Sequence, residues 1–301
     1  MGGLGLRAPA KINWSLEVLG RRADGFHEVD TVLQTVSLAD ELWFAPRPQP
    51  RCRIRCSAPA VPVGPANLIH KAWRALRRAR PGRVAGLRVR LIKRIPVGAG
   101  LGGGSADAAA TLRAINRLYR LGMSRVELAT IAAEIGADVP FFLFGGVARC
   151  GGRGERVRLM PTALPHIPLV IVYPGFVSST AEAYPRLRSG DWRNRAVGDR
   201  VERALRAGNA AALRRFAGNV FDRRLAEHDR RYAVIKTAME TAGLIRPRLC
   251  GSGSACYGWA RDAAHGRRAA VALTRGPWRA FAVRTLRGGL RRLAGAERHR
   301  A

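Results

Sequence analysis

One glycine-rich stretch, Pro96 to Ala110, constrains the fold of this chain more than any other segment. It reads PVGAGLGGGSADAAA, with five glycines among the seven residues 98–104. The residues before it, 87–95, alternate apolar and basic side chains as a half-buried strand does, and alanines and leucines recur at helical spacing over 108–121. A glycine loop that opens a helix exposes unpaired backbone amides, which together with the helix dipole bind anions. The stretch therefore predicts a phosphate-binding loop.

Two well-known phosphate-binding loops match part of this pattern. A Walker A loop ends in Gly-Lys-Ser or Gly-Lys-Thr, and no lysine occurs between Lys93 and Lys236, which excludes it. Three of the glycines formally fit the dinucleotide fingerprint GxGxxG. A dinucleotide-binding unit needs a second apolar strand after its helix, whereas residues 124–135 begin with a helix cap and continue at helical spacing. The context therefore disfavours a dinucleotide site.

The composition is typical of a globular protein. The chain has 301 residues, of which 47% are hydrophobic, enough for two ordinary domains or one large one. No run of about 18 apolar residues occurs, so neither a membrane-spanning helix nor a membrane partner is expected. The first residues do not resemble a signal peptide. The five cysteines form no C-x-x-C pair, and we expect reduced thiols and a cytoplasmic location.

The net charge of +32 raises the possibility of a nucleic-acid-binding protein. The arginines, however, are spread over every segment, whereas a dedicated binder concentrates them in one arm or stripe with interleaved aromatic residues. We therefore expect solvated surface charge and no specific nucleic-acid partner, with any affinity for RNA or anionic lipid as a side effect. Residues 284–300 are locally the most basic and predict a loose tail or a basic helix.

Several polar residues stand out against apolar surroundings. Residues 8–19 predict an early strand, with Lys11 and Asn13 alternating with the apolar side chains. Phe26 beside His27 ends a polar turn, either as packing or as a wall for a flat ring. Asp138 precedes VPFFLF, where rigid apolar surroundings suit a positioned base, although a helix cap or turn residue is the alternative. Taken alone, Lys11 and Asn13 are typical solvent-facing residues.

The order of predicted elements indicates an α+β protein. Residues 45–65 predict an irregular connection, and a helix capped by Asn67 follows it. A polar, Gly/Arg-rich segment at 151–161 predicts a hinge between two halves. In the second half, strands at 166–173 and 280–286 accompany helical segments over 191–242, with a second Gly/Ser turn at 248–259.

Three separated motifs resemble those of the GHMP superfamily, the small-molecule kinases of galactose, homoserine, mevalonate and phosphomevalonate. They are APAKIN at 8–13, the glycine loop, and CGSGSAC at 250–256. Within that superfamily, RRADGFHEVDTVLQTV, GLGGGS and GADVPFFLFGG are similar to the 4-diphosphocytidyl-2-C-methyl-D-erythritol kinases. The similarity extends from residue 8 to about residue 259.

The resemblance implies an α+β, two-domain GHMP kinase fold. Residues 1–155 would form the N-terminal domain, which is ribosomal-S5 domain 2-like and carries the ATP-binding glycine loop. Residues 156–301 would form a ferredoxin-like C-terminal domain with a basic tail. The implied cofactors are ATP and Mg²⁺, and the implied substrate is the small molecule cytidine diphosphate methylerythritol. Its 2-hydroxyl would receive the γ-phosphoryl group, a step of the non-mevalonate route to isoprenoid precursors, in a monomer or homodimer.

The resemblance also implies roles for individual residues. Asp138 matches the catalytic aspartate and would accept the hydroxyl proton, with Lys11 orienting it. His27 would hydrogen-bond the cytosine edge while Phe26 and Tyr184 stack on its ring. Ser105 is the candidate Mg²⁺ ligand. The implied ATP-binding residues are Asn67, Lys93, Pro96, Val97, Gly98, Ala99, Gly100, Leu101, Gly102, Gly103, Gly104 and Ser105. The implied substrate-binding residues are Asn13, Phe26, His27, Thr180, Tyr184, Gly251, Ser252 and Gly253.

Two positions depart from the family pattern, and two rival functions stay open. Phe26 stands where tyrosine is common, which keeps the ring and loses a hydroxyl. Ala106 stands where serine is usual, which leaves Ser105 as the remaining hydroxyl. Neither change affects Lys11 or Asp138, so we expect an active enzyme. The rivals are a GHMP kinase acting on mevalonate or homoserine, and an arginine-rich nucleic-acid-binding protein on a kinase fold.

Overall fold

The fold is taken from a computed structural model of the chain, which describes residues 3–178, 183–192, 195–222 and 229–294. Thr180, predicted to contact the substrate, lies outside the described residues, as does the end of the basic tail from residue 295 onward. Among the described residues, no helix combines the length and the apolar character needed to cross a membrane.

The described chain begins with three strands, and helices and strands are mixed along the rest of it. The strands are β1 (Leu4–Arg21), β2 (His27–Arg47), β3 (Cys52–Cys56), β4 (Gly86–Ile92), β5 (Val147–Gly151), β6 (Arg156–Leu159), β7 (Pro168–Tyr173), β8 (Gly218–Asn219), β9 (Ile245–Leu249), β10 (Cys256–Trp259), β11 (Arg279–Arg284) and β12 (Arg291–Arg292). The α-helices are α1 (Leu68–Ala79), α2 (Gly103–Leu118), α3 (Arg125–Ile135), α4 (Val139–Phe144), α5 (Ala196–Arg206), α6 (Ala210–Phe216), α7 (Arg230–Thr241) and α8 (Ala263–Thr274). Single 3-10 turns lie at Tyr184–Arg186 and Ser189–Asp191.

The first sheet is built on the long antiparallel pair β1 and β2. Its strand order is β12-β1-β2-β4-β3, with β5 and β6 attached beside β2 and the short β8 beside β1. The register of β1 on β2 shifts between Pro9 and Lys11, and again between Asn13 and Ser15. Such bulges bend a strand and redirect its side chains. They flank Lys11 and Asn13, the two polar residues that the sequence singled out on this strand.

The second sheet has the antiparallel order β11-β7-β10-β9. Helices α7 and α8 contribute apolar side chains to a core with this sheet. Another core joins it to β1, where the ring of Trp14 lies 5.2 Å from Trp259 and 5.6 Å from Tyr257. A sheet with helices packed on it matches the predicted α+β class. The division into two domains near residue 155 stays a prediction.

Helix ends are where local sequence signals were most informative. The side chain of Asn67 accepts a hydrogen bond from the Ile69 backbone N–H and caps α1, as predicted. Ser124 and Glu127 form a reciprocal capping box at the start of α3. Helix α2 begins at Gly103, earlier than the alanine pattern indicated, so part of the glycine run forms its first turn.

Two expectations about irregular segments are wrong. Residues 45–65 contain β3, whose Ile54 is buried between the exposed Arg53 and Arg55. Residues 151–161 form the turn of a hairpin and strand β6, which pairs with β5 instead of acting as a hinge. Both strands are short, and their apolar residues are too few to produce a clear alternation beside so many arginines.

Glu17 of β1 is an unusual buried carboxylate. It is 2% exposed, and its Oε2 accepts a hydrogen bond of 2.9 Å from the Gly198 backbone N–H near the start of α5. Its Oε1 has no hydrogen-bond partner among the described residues. Burial raises the pKa of Glu17, against the opposing backbone N–H groups of Gly198 and Val197.

We expect Glu17→Gln to raise the melting temperature at neutral pH. Because the pKa of Glu17 is raised in the folded state, ionisation of its carboxyl group destabilises the folded protein relative to the unfolded one. This loss of stability is absent below the unfolded-state pKa of about 4.3 and develops as pH rises above it. Glutamine keeps an oxygen for the Gly198 N–H but carries no charge. Thermal unfolding should therefore show a gain for the variant near pH 7 that vanishes near pH 4. The exposed Glu240→Gln serves as control, and a lower melting temperature for Glu17→Gln at neutral pH would contradict this account.

Candidate active site

A cleft of about 550 Å³ lies where β1, the glycine loop and the start of α4 meet. Most of the residues implied by the resemblance line it: Lys11, Asn13, Asn67, Lys93, the loop from Pro96 to Ser105, Asp138, Tyr184, Gly251 and Ser252. Phe26, His27 and Gly253 are not among the lining residues. The cleft is also lined by residues that were not predicted, among them Thr31, Asp107, Arg153 and Gly154.

The glycine loop needs glycine for its conformation and for its packing. Gly98, Gly100 and Gly102 have φ values of 66°, 74° and 71°, in the left-handed region. A Cβ atom at Gly100 would lie 1.9 Å from the carbonyl oxygen of Cys250. A Cβ atom at Gly102 would lie 2.7 Å from the ring of Phe142. No other residue type fits either position without moving the surrounding backbone or core.

Backbone hydrogen bonds hold the loop between distant parts of the chain. The Lys11 N–H donates to the carbonyl of Leu101 at 3.0 Å, and the Ala255 N–H donates to that of Ala99 at 3.2 Å. The loop leads into α2, whose N-cap Gly102 provides no side-chain hydrogen bond. The amides of the first turn therefore have no side-chain cap, which is the arrangement that an anion site needs; binding of an anion there stays a prediction.

Lys11 and Asp138 lie next to each other in the wall of the cleft. The Lys11 Nζ lies 3.8 Å from Asp138 Oδ2 and donates a 2.9 Å hydrogen bond to Asn13 Oδ1. The same Asn13 oxygen accepts from the Gly251 N–H at 2.9 Å, and the Asn13 amide donates to Thr31 Oγ1 at 2.9 Å. Lys11 is 4% exposed, so the interpretation of Lys11 as a solvent-facing residue is wrong. The network directs one fixed ammonium group at the carboxylate.

Asp138 precedes α4 without capping it. Its backbone is helical, with φ −82° and ψ −12°, and its side chain makes no cap hydrogen bond, which removes the helix-cap alternative. The side chain is 35% exposed. A carboxylate that makes no side-chain hydrogen bond to the described residues, is open to the cleft and lies beside an ammonium can accept a proton from a bound hydroxyl group.

Lys93 is held by two carboxylates beneath the loop. Its Nζ lies 2.5 Å from Asp40 Oδ2 and 2.9 Å from Asp107 Oδ2, and the side chain is 6% exposed. Burial disfavours its charge, yet the carboxylates of Asp107 and Asp40 raise the pKa of Lys93. Asp40 Oδ1 also accepts from the backbone N–H groups of Arg94 and Ile95 at 2.6 and 2.9 Å. The cluster therefore fixes the entry to the glycine loop.

Asn67 closes the same end of the cleft with both of its side-chain atoms engaged. Its Oδ1 caps α1, and its Nδ2 donates to the carbonyl of Pro62 at 2.6 Å. Val61, Pro62 and Leu68 line the cleft beside it. Asp107, on the opposite wall, has one buried carboxylate oxygen without a hydrogen-bond partner among the described residues. The side chains of Val61, Pro62 and Leu68 make this end of the cleft largely apolar.

The aromatic wall is partly assembled at the other end. The rings of His27 and Tyr184 lie 4.9 Å apart, and Tyr184 also contacts Phe221. Phe26 is 53% exposed, and the guanidinium of Arg153 lies 4.9 Å from its ring centroid. Burial lowers the pKa of His27, with Arg21 contributing, which favours the neutral ring. A sandwich between Phe26 and Tyr184 stays a prediction.

The described residues provide few metal ligands. They contain no group of three or more His, Cys, Asp or Glu side chains placed to hold a metal ion. Ser105 lies in the first turn of α2 and lines the cleft. A hydroxyl group in this position can supply one oxygen ligand to a hard cation, and a bound phosphate would have to supply others.

Sequence comparisons connect these features to known enzymes. Residues 67–146 match the family described as GHMP kinases N terminal domain. The chain is 39% identical over 279 residues to a 4-diphosphocytidyl-2-C-methyl-D-erythritol kinase of Pelotomaculum thermopropionicum, covering 92% of this chain and 96% of the relative. It is 41% identical over 273 residues to the enzyme of that name from Moorella thermoacetica, covering 90% and 94%.

Structural comparisons agree. A crystal structure of 4-(cytidine 5'-diphospho)-2C-methyl-D-erythritol kinase matches with a TM-score of 0.79 at 35% identity, over 95% of this chain and 99% of the other. A homoserine kinase from Cytophaga hutchinsonii matches with a TM-score of 0.76 at 17% identity, over 97% and 98%. The second match shows the fold alone. Together they confirm the predicted fold.

We expect Lys93→Met to destabilise the protein strongly, because it leaves two buried carboxylates without their cation. Removal of one partner of a buried ion pair costs about 3–5 kcal/mol, which urea unfolding would measure. Adding Asp107→Asn should recover part of that loss, and the exposed Lys71→Met should change stability by less than about 0.5 kcal/mol. Equal unfolding curves for Lys93→Met and Lys71→Met would show that Lys93 is not held for charge balance.

Proposed function

The chain belongs to the 4-diphosphocytidyl-2-C-methyl-D-erythritol kinase family, and we propose that it phosphorylates the substrate of that name. As a kinase of this family it uses ATP as phosphate donor. The reaction transfers the γ-phosphoryl group to the 2-hydroxyl of the methylerythritol moiety, a step of the non-mevalonate route to isoprenoid precursors. The observation that carries the proposal is the Lys11–Asp138 pair, which opens into the same cleft as the glycine loop.

The nucleotide end of the cleft is assigned to ATP. Its phosphates would contact the backbone of residues 98–105, where the glycines permit close approach and the first turn of α2 leaves N–H groups for an anion. Its adenosine would lie between Asn67 and the wall that carries Lys93 and Asp107. The unpaired Asp107 oxygen offers an acceptor to a nucleoside amino or hydroxyl group. Lys93 supports this wall through its two carboxylates and is not assigned to the phosphates.

Asp138 is assigned as the acceptor of the hydroxyl proton. Phosphoryl transfer needs a positioned nucleophile and neutralisation of charge more than covalent participation by the protein. The Lys11 ammonium, 3.8 Å from Asp138, would orient that side chain and offset negative charge that develops on the transferring group. Asn13 already shares its oxygen between two donors, so its main role is to position Lys11.

The other end of the cleft is assigned to the cytidine part of the substrate. Neutral His27 can both donate and accept hydrogen bonds at the cytosine edge, and its contact with Tyr184 keeps the two rings together. Phe26, which is exposed, would stack on the base. The Arg153 guanidinium, which now lies over the Phe26 ring, would then either move away or stay on the other side of that ring. Gly251 and Ser252 border the cleft beside Lys11, where the diphosphate that links cytidine to methylerythritol would lie.

Mg²⁺ is proposed as the accompanying ion. The residues fit it in part, since Ser105 provides a hydroxyl in the cleft and no carboxylate cluster is found among the described residues. Ser105 and the phosphate oxygens of ATP would hold it. When bound, such an ion neutralises charge on the phosphates. A cytoplasmic location and a monomeric or dimeric state stay predictions.

We expect Asp138→Asn to lose at least about a hundredfold in kcat, because the proton acceptor is removed while the side-chain shape is kept. The assay is phosphate transfer from Mg-ATP to purified 4-diphosphocytidyl-2-C-methyl-D-erythritol, with ATP affinity and melting temperature as controls. Unchanged turnover would refute the role of Asp138 as base. Wild-type turnover with mevalonate or homoserine, but not with the cytidine compound, would refute the substrate.

We expect Phe26→Leu to raise the KM for the cytidine substrate while leaving the KM for ATP unchanged. Stacking of a base on an aromatic ring is worth about 1–3 kcal/mol, which corresponds to roughly a five- to 150-fold change. Phe26→Tyr keeps the ring and is the matched control. If both variants retain the wild-type KM, the exposed ring does not contact the base, and the aromatic wall consists of His27 and Tyr184 alone.

A further inference from the structure

One face of the first sheet carries a concentration of arginines that the kinase reaction does not use. Alternate residues of β1, β2, β3 and β4 point inward and pack against α1 and α2. The middle of β1 and β2 is buried on both sides, but at the end of the sheet that holds β3 and β4 the side chains between the inward ones include exposed arginines. We define the arginine face as the six exposed outward arginines Arg7, Arg53, Arg55, Arg88, Arg90 and Arg291.

The strand register places these arginines directly beside one another. Arg53 is paired with Arg88 and Arg55 with Arg90 across β3 and β4. Arg7 is paired with Arg291 across β1 and β12 in the same way. Cross-strand neighbours have Cβ atoms about 5 Å apart, and residues two apart on one strand are separated by about 6.6 Å. Like charges at such positions destabilise a sheet.

The structure provides almost no compensation for this repulsion. Among the described residues, no carboxylate oxygen lies within 4.0 Å of these six guanidinium groups. Glu41 of β2 is the cross-strand neighbour of Arg7 on the same face, but its carboxylate is paired with Arg94 at 3.2 Å. The positive charge is therefore available to an external anion, whose binding would relieve the repulsion.

Protection of exposed sheet edges explains only part of the pattern. Charged residues on edge strands prevent unwanted strand pairing, and β3 and β12 end the strand order of this sheet. Arg53, Arg55 and Arg291 fit that role. Arg88 and Arg90 do not, because β4 is paired on both sides, by β2 and by β3.

We propose that the arginine face binds single-stranded nucleic acid through its phosphates, without sequence preference. Rows of guanidinium groups along neighbouring strands can follow an extended phosphodiester backbone. Trp43 lies half-buried on this face, and the Arg90 guanidinium is held over its ring, 5.4 Å from the ring centroid. No large hydrophobic side chain of the described residues is exposed on the face, so a membrane has no apolar group to anchor it.

This site is separate from the cleft. The glycine loop opens α2, and α2 packs on the opposite side of the sheet from the arginine face. Binding of a polynucleotide should therefore not compete with ATP. The inference does not depend on the proposed kinase reaction, and either can fail without the other.

The test compares two full-length variants that lose the same charge. The face variant combines Arg53→Gln, Arg55→Gln, Arg88→Gln and Arg90→Gln. The control variant changes four exposed arginines at and around α8, namely Arg261→Gln, Arg267→Gln, Arg268→Gln and Arg275→Gln. Both should retain wild-type kinase activity, because none of these residues lines the cleft. A double variant at Arg88 and Arg90 alone leaves the edge strand intact if the quadruple variant does not fold.

Binding is measured by fluorescence anisotropy with labelled oligo(U) and oligo(dT) over a range of salt concentrations. We expect the face variant to lose at least about tenfold in affinity at low salt, with a salt slope shallower by about 3, since each phosphate contact on a single strand contributes about 0.7. For the double variant, the reduction in the salt slope should be about half as large as for the quadruple variant. The control variant should stay within about threefold of wild type, and saturating ATP should displace neither oligonucleotide.

Three outcomes would overturn the proposal. Equal weakening in the face and control variants would mean that net charge acts diffusely. Displacement of the oligonucleotide by ATP would place its binding in the cleft. Binding to phosphatidylserine vesicles that depends on the arginine face, with no such dependence for the oligonucleotides, would identify an anionic membrane surface as the partner.

Discussion

The arrangement of the cleft depends on the hydrogen bonds that the side-chain amide of Asn13 makes. Its oxygen accepts from the Lys11 ammonium on the same strand and from the Gly251 N–H, 238 residues away. The backbone carbonyl of Asn13 accepts from the hydroxyl of Tyr257, which belongs to the aromatic core between the sheets. Buried polar atoms need such partners, so the position of Lys11 and that of the second Gly/Ser turn are fixed together. The geometry opposite Asp138 therefore depends on packing of the C-terminal sheet.

The use of lysine in this chain follows a physical distinction between the two basic side chains. Lysine and arginine together number 53, yet only four are lysines. Lys11 and Lys93 are buried at the cleft, and Lys236 pairs with the half-buried Asp222 at 2.8 Å. An ammonium on a narrow stem fits between two carboxylates or behind an amide, whereas a planar guanidinium needs more space and more acceptors. Arg149 illustrates the larger demand, since its guanidinium, 14% exposed, is held by Asp30, Asp199 and Glu202 together.

Local signals explain what the sequence predicted well. The glycine loop, the Asn67 cap and the helix at 124–135 each depend on residues within a few positions of one another, and all three appear in the structure. Strands β3 and β6 escaped notice because short strands are defined by their partners more than by their own residues. Asp40 was not predicted as a site residue because its ion pair with Lys93 joins residues 53 positions apart, which no local pattern indicates. The roles of the cleft residues and the domain boundary remain predictions.

The distribution of arginine shows why charge cannot be interpreted from sequence order alone. Along the chain the arginines appear dispersed, which argued against a nucleic-acid-binding surface. Strand alternation sends every second residue to one face, and the register of β3 on β4 and β12 on β1 then brings distant arginines side by side. The cleft and this face would bind anions by different means. Backbone amides and a helix terminus give the cleft a fixed geometry for a particular phosphate, whereas long mobile guanidinium groups accept any extended polyanion and respond strongly to salt.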